Sequence, residues 1–264
     1  MGRAPLFLGV ALALASPAAA DITATPDARA VFTLERNGVL GVLERVSATA
    51  DAPTAATWQV TMQRGELFAQ PSLVVDGRRY RPGDGKRPGT FRISRGSRGV
   101  RFDWLQPRGA HTARLGYRLA LFGTAYTDVV DLHVPVWESG WPTAVGTLRA
   151  ALDLPHVPRR HAIVWLEPRI ENADVTTGGR AIRVRTREVG AGDSLTLRAV
   201  LPRSVLAATD GLNVAKRPGL EQVLAERSSS DRTWWPWALA AAAVALLSLA
   251  VVLRTTRSRR PLPR

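Results

Sequence analysis

The sequence predicts an all-β fold: a β-sandwich ectodomain, with room for two β-lobes, carried by one C-terminal transmembrane helix. Three observations lead there. Apolar alternation of strand type recurs at short spacing, turn residues interrupt it every ten or so positions, and one long charge-free apolar run lies near the C-terminus.

The opening residues 1–20, MGRAPLFLGVALALASPAAA, carry one charge, Arg3, then an apolar stretch and Pro17 ahead of Ala18, Ala19 and Ala20. That is the layout of a secretory signal peptide cleaved after Ala20. The exported β-rich part then spans residues 21–204. AVFTLERNGVLGVLERV (30–46) places two apolar stretches about Asn37-Gly38, a hairpin signal. SLVVDGRRY (72–80) repeats the device with Asp76-Gly77, and residues 90–93 and 100–104 form the next pair around SRGSRG. In residues 113–122, Leu115, Tyr117, Leu119 and Leu121 take alternate positions, the period of a half-buried strand. TDVVDLHVPV, GTLRAALDLP, RAIRVRTREV and SLTLRAVLP continue the pattern. The PRG at 107–109 divides candidate lobes 21–106 and 107–204. Residues 205–233 read as a juxtamembrane linker, in which LEQVLAER (220–227) suits a short helix and SSSD (228–231) a polar spacer.

Residues 234–253, WWPWALAAAAVALLSLAVVL, contain no charge. At about 1.5 Å of rise per residue they span about 30 Å, the thickness of a hydrocarbon core. Trp234, Trp235 and Trp237 stand at one end as membrane-interface residues, and Arg254, Arg257, Arg259, Arg260 and Arg264 crowd the 254–264 tail. The positive-inside rule puts that tail in the cytoplasm and the N-terminal domain outside the plasma membrane. The tail arginines act as a stop-transfer signal, or alternatively hold anionic inner-leaflet lipids.

The formal net charge is +14, of which +8 falls within residues 21–233, where all 22 acidic residues lie. The bases are 34 Arg and 2 Lys, spread along the chain rather than clustered. With only the short tail facing the cytosol, this argues against a nucleic-acid partner. A positive ectodomain does attract anionic wall polymers or lipid head groups. There are no cysteines, which excludes thiol catalysis, disulfides and thiolate metal sites. The exported domain must be held by its core alone, and its length suffices for that.

Candidate chemistry concentrates in DLHVPVWESGWP (131–142), where Trp137 and Trp141 bracket Glu138. An aromatic pair with an acid holds or cleaves sugars in many proteins, but glycoside hydrolysis needs a second carboxyl across a cleft. Asp131, Asp128 and Glu167 are the nominees. The spacing also suits a turn between two strands, with both indoles packed on the core. GDSL (192–195) matches a short esterase signature, yet the last histidine, His161, lies upstream of Ser194, and SLTLRAVLP reads as a strand. His111, His133, His156 and His161 are scattered and lack metal-ligand spacing, although His133 and Asp131 share a strand face. No phosphate-cradling glycine loop precedes a helix.

The chain resembles the bacterial family of predicted membrane proteins with an exported domain of unknown function, the N-terminal part of domain of unknown function 2207. The likeness rests on VFTLERNGVLGVLERV with Asn37, Gly38 and Glu44, on YRLALFGTAYTDVVDLHVPVWESGWPTAVGTLRAALDLP, and on VGAGDSLTLRAVLP. It departs in having Val134 where the family's turn has its first aromatic, so that Trp137 falls inside the turn. Many relatives continue into a larger cytoplasmic part, and no activity residing there is expected of this chain. The resemblance implies a signal peptide, a β-rich exported domain and a membrane segment, and no known activity. Together these readings point away from an enzyme and from any cofactor. They predict a non-catalytic module that binds or scaffolds in the cell envelope, with the lipid bilayer and an envelope protein or polymer as partners. The alternative is a carbohydrate-binding or carbohydrate-active protein using Trp137, Glu138 and Trp141.

Overall fold

In the computed structural model, residues 22–63, 65–96, 99–141, 143–158 and 162–232 are described. The expected signal peptide at 1–20, span at 234–253 and basic tail at 254–264 lie outside them. No helix among the described residues is long and apolar enough to cross a membrane.

The described chain is all-β. Its strands are β1 (Ile22–Leu34), β2 (Leu40–Ala50), β3 (Thr54–Thr61), β4 (Leu67–Val75), β5 (Arg78–Arg79), β6 (Arg81–Pro82), β7 (Thr90–Gly96), β8 (Gly99–Gln106) and β9 (Gly109–Ala120). They continue with β10 (Gly123–Ala125), β11 (Val129–Trp137), β12 (Val145–Asp153), β13 (Ile163–Glu167), β14 (Ala173–Gly178), β15 (Ala181–Val189), β16 (Leu195–Pro202) and β17 (Asn213–Val214), and close on helix α1 (Leu220–Arg232). An eight-stranded sheet runs β14-β15-β12-β1-β2-β9-β4-β5, a five-stranded sheet β13-β16-β11-β10-β17, and a four-stranded sheet β3-β8-β7-β6. One continuous apolar core draws on all three, including Phe32 and Leu115, Trp58 and Phe102, and Leu132 and Leu197.

Alternation of burial forms each strand. On β2, Leu40, Val42, Val46, Ala48 and Ala50 face in, while Leu43 and Arg45 face out. Glu44 occupies a core-facing position in that register and is 2% exposed. Asp76 and Gly77 both adopt positive φ, 49° and 80°, as a two-residue primed hairpin turn requires. The Asn37-Gly38 hairpin is longer: Glu35 N–H donates to Val39 O (2.8 Å), and only Gly38 of the pair has positive φ. There a β-carbon would stand 2.8 Å from Leu212 Cγ, so both space and conformation call for glycine.

Four features add to the sequence expectation or depart from it. The parallel pairing of β1 with β12 carries the large sheet across the 106/107 boundary, so the two candidate lobes share it. Strands β3, β6, β10, β13, β14 and β17 went unread, β14 because its mostly exposed residues leave no apolar face. Helix α1 runs through SSSD to Arg232, because its first turns dock Val223 against Tyr126, Val129 and Val200. The arginines are not all scattered either. Cross-strand register sets Arg185, Arg149, Arg29, Arg45 and Arg114 in one row of the large sheet.

Candidate functional site

The stretch 131–142 enters on β11, whose residues from Val129 to Leu132 are all buried, and leaves the strand at Trp137. Trp137 and Trp141 are each 4% exposed, and Glu138 is 6% exposed. Both indoles pack on a third, Trp58 of β3, with ring centroids 5.4 Å and 5.1 Å away, and they lie 6.3 Å from each other. The Trp141 indole N–H donates to Thr25 Oγ1 (2.7 Å), and Thr25 shares a 2.6 Å hydroxyl contact with Thr143. Gly140 lets the turn lie on β3, since a β-carbon there would come within 2.9 Å of Gln59 Cβ. The turn thus caps the β3 end of the core with both indoles turned inward.

The acid goes in with them. Glu138 Oε1 meets no hydrogen-bond partner among the described residues. Burial pushes its carboxyl up to about 7, against hydrogen bonds from the Thr61 hydroxyl and backbone, and the Glu66 charge adds to the rise. The carboxyls coupled to Glu138 are none of the three nominees: its charge raises Glu44, and that of Glu66 raises Glu138 itself. Burial and then the charge of Glu138 raise Glu44 to about 8. The Tyr117 hydroxyl donates to Glu44 Oε1 (3.2 Å), which opposes the rise. The Trp58 indole N–H lies close enough to favour an ionised Glu44, yet neither it nor Glu44 Oε2 has a partner at hydrogen-bonding geometry among the described residues. Two carboxyls, a phenol and an indole therefore form a polar island inside an apolar core. At neutral pH Glu44 is mainly protonated, the state that burial without a cation selects.

Outside this island lies a cavity of about 210 Å³, bordered by Trp137 and Glu138 from the turn, Glu66, His133, Ser139 and Ser194. Ser194 precedes β16 directly, as its strand reading requires, and no hydrogen bond joins it to His133. His133 instead contacts Asp131 Oδ2 (3.2 Å). His111 pairs with Asp76, and His161 lies outside the described residues. Among the described residues no three His, Asp or Glu side chains gather as a metal would need.

Asp131, one of the nominees, belongs to a different polar centre. Arg198 of β16 grips it with Nε to Oδ1 (3.1 Å) and Nη2 to Oδ2 (2.9 Å), a bidentate pair with both side chains nearly buried. Arg198 Nη2 also donates to Glu226 Oε2 on α1 (2.7 Å), and its guanidinium lies 5.3 Å from the Trp165 ring centroid. Arg227 of α1 reaches the same ring at 5.0 Å. Burial works against both charges. Even so, His133 and Arg198 hold Asp131 below its ordinary value, and the bonds to Asp131 and Glu226 hold Arg198 above its own. Asp128, a second nominee, instead accepts the Gly219 and Leu220 N–H groups at the start of α1 (2.8 and 3.3 Å). The third, Glu167, accepts the Trp165 indole N–H (2.8 Å) and stands 3.7 Å from Arg198. The nominees thus tie α1 to the five-stranded sheet, and none faces Glu138.

Residues 25–201 match the family model described as predicted membrane protein (DUF2207), N-terminal domain. The chain belongs to that family. The matched span holds the indole–carboxyl island and Arg198, and stops before α1. No curated protein matches. Among solved structures, the "putative nutrient binding protein" of Legionella pneumophila is 8% identical with a TM-score of 0.38, over 66% of each chain. An M1 zinc metallopeptidase of Deinococcus radiodurans is 11% identical with a TM-score of 0.35, over 66% of this chain and 41% of that one. This chain thus spans less than two thirds of either, and likenesses at these TM-scores carry no functional argument.

Two residues of the island escaped sequence reading. Glu44 was legible in principle, since Leu40, Val42, Glu44 and Val46 sit at alternate positions of one apolar face. Trp58 was not, because its contact with the 137–141 turn joins segments about 80 positions apart.

Proposed function

We propose that this family member is a single-pass, membrane-anchored β-sandwich ectodomain that binds or scaffolds a partner in the cell envelope without catalysing a reaction. The observation that carries the reading is the burial of the one acid–aromatic constellation in the sequence. With Trp137 and Trp141 each 4% exposed and Glu138 6% exposed, the residues that would clamp and attack a sugar are packed into the core. The family's description as predicted membrane proteins agrees with the anchor read at 234–253. The leader at 1–20 and the basic tail orient the domain outward, with the bilayer as its standing partner. In-cell crosslinking of the anchored full chain, followed by identification of the captured molecule, is the direct test. Turnover of an envelope polymer by the purified chain, lost on Glu138→Gln, overturns the proposal.

The cavity of about 210 Å³ beside Trp137 and Glu138 favours a second reading, a small carbohydrate site at the rim of the turn. Tryptophan fluorescence titrated with cell-wall glycans distinguishes the two. A saturable change that Glu138→Gln abolishes supports the sugar site, and an unperturbed spectrum removes it.

A further inference from the structure

The row of arginines on the large sheet is the one charged feature that neither the core nor the polar centres use. Arg185 of β15 is directly opposite Arg149 of β12, which is opposite Arg29 of β1, Arg45 of β2 and Arg114 of β9 in turn. Residues paired in this way point to the same face, and all five side chains are exposed. With strands about 4.8 Å apart, the row is about 19 Å long. None of the five makes an ion pair or a side-chain hydrogen bond with a described residue, although Asp174 stands opposite Arg185 on β14.

Like charges directly opposite on neighbouring strands destabilise a sheet, and here four such pairs occur in succession. A fold that keeps them gives up stability for a surface that an external anion can neutralise. The shape matches the charge. Arg29, Arg149, Arg183 and Arg185, together with Asp174, border an open basin of about 450 Å³ at the β12–β15 end of the row. Guanidinium groups recognise phosphate oxygens in bidentate fashion.

The neighbouring rows decide the kind of anion. On one side run Arg187, Thr147, Asp27, Ser47 and Thr112; on the other Arg183, Ala151, Val31, Leu43 and Gly116. Apart from Arg187 and Arg183 at the β15 end, positive charge is therefore concentrated in a line, with exposed Asp27 beside it and Asp174 at its end. A flat anionic bilayer would press those acids against its own charge, whereas a thread laid along the row from β9 to β15 passes beside Asp27 and stops short of Asp174. These rows carry no aromatic side chain on which a base could stack, so single-stranded nucleic acid is poorly suited.

We infer that the arginine row of the eight-stranded sheet is a docking track for a linear polyanion, a phosphodiester-linked polymer without bases laid across β15, β12, β1, β2 and β9. The inference rests on the proposed non-catalytic binding role and gives its partner a chemistry.

The test uses the detergent-solubilised full chain and poly(glycerol phosphate) as the probe. Wild type binds, and affinity falls steeply with added salt, as for any ligand held by several phosphate contacts. Arg29→Gln/Arg149→Gln/Arg185→Gln weakens binding by about tenfold or more. Arg36→Gln/Arg81→Gln/Arg169→Gln removes the same formal charge from exposed positions off the row and leaves binding within about twofold. Because the row triple relieves repulsion, its melting temperature is no lower than that of wild type, so lost binding is not lost folding. Failure of wild type to bind, equal weakening by both triples, or preferential binding to phosphatidylglycerol vesicles or single-stranded DNA overturns the inference. If the envelope partner captured by crosslinking is still captured by the row triple, the track fails while the binding role stands.

Discussion

Asp131 and the Glu44–Glu138 pair are both buried carboxyl sites of one β-core, and the core treats them in opposite ways. Asp131 receives a bidentate guanidinium and a histidine and is held ionised. Glu44 and Glu138 receive a tyrosine hydroxyl, a threonine and the nearby Trp58 indole but no cation, and are pushed toward the neutral acid. Burial opposes the charge at both; the difference lies in what arrives from the next strand. The first arrangement joins elements, since Arg198 reaches from β16 to Asp131 on β11 and Glu226 on α1. The second fills space beneath a turn and gives the domain a pH-dependent core.

The largest expected effect breaks the paired site. Arg198→Met leaves Asp131 buried without its cation and releases Glu226, and should cost about 3–5 kcal/mol in urea unfolding at pH 7. Glu44→Gln, the matching change at the other site, should be neutral or stabilising above pH 7, because it replaces an acid that burial already disfavours in its charged form. Comparable losses for both variants would mean that the two sites are not opposites.

The second effect is the pH profile. Glu44 and Glu138 have folded-state values, about 8 and about 7, above the ordinary 4.5. As pH rises from about 4.5, the unfolded chain releases these protons first and stability falls, until the folded values are passed near pH 8. The loss across that window should be on the order of a few kcal/mol and read as a falling melting temperature. His111, raised by Asp76, adds a weaker trend of the same sign at the surface, so Glu44→Gln is the isolating variant and should flatten most of the slope. Asp131 behaves inversely. Its value is lowered, so its contribution is present above the ordinary 3.8 and vanishes only as pH falls through the folded value.

Third, Gly140→Ala drives a β-carbon to 2.9 Å from Gln59 Cβ and should cost about 1–3 kcal/mol by lifting the turn from β3. Intrinsic tryptophan emission should shift to the red as Trp141 gains water. An unshifted spectrum would show that the turn does not seal the indoles.

The contrast between the two sites also explains what the sequence discloses. Alternation along β2, β9 and β15 is local, and so is a turn such as Asp76-Gly77; both were readable, and they fix the all-β class. The identity of a carboxyl's neighbour is decided by register between strands distant in the chain, and there reading fails. Asp131 looked like a catalytic candidate because Arg198 lies 67 positions away. The nominees for Glu138's partner left out Glu44 because it comes from another sheet. The arginines looked dispersed because β1 meets β12 across more than 100 residues of chain. Trp137 and Trp141 were legible as residues of a turn, whereas their inward direction depends on Trp58.

The smallest effect separates the indoles by their polar ends. The Trp141 N–H donates to Thr25, whereas the Trp58 N–H has no partner among the described residues. Trp141→Phe keeps an aromatic ring against Trp58 and loses that hydrogen bond, so it should cost about 1 kcal/mol beyond the lost ring area. Trp58→Phe loses the same area and removes a donor that the core leaves unsatisfied, so its cost should be smaller. A double-mutant cycle with Thr25→Val makes the difference specific: Trp141→Phe should couple to it by about 0.5–1.5 kcal/mol and Trp58→Phe should not. Equal coupling would mean that Thr25 serves both indoles, and the polar ends of Trp58 and Trp141 would not differ as their geometry implies.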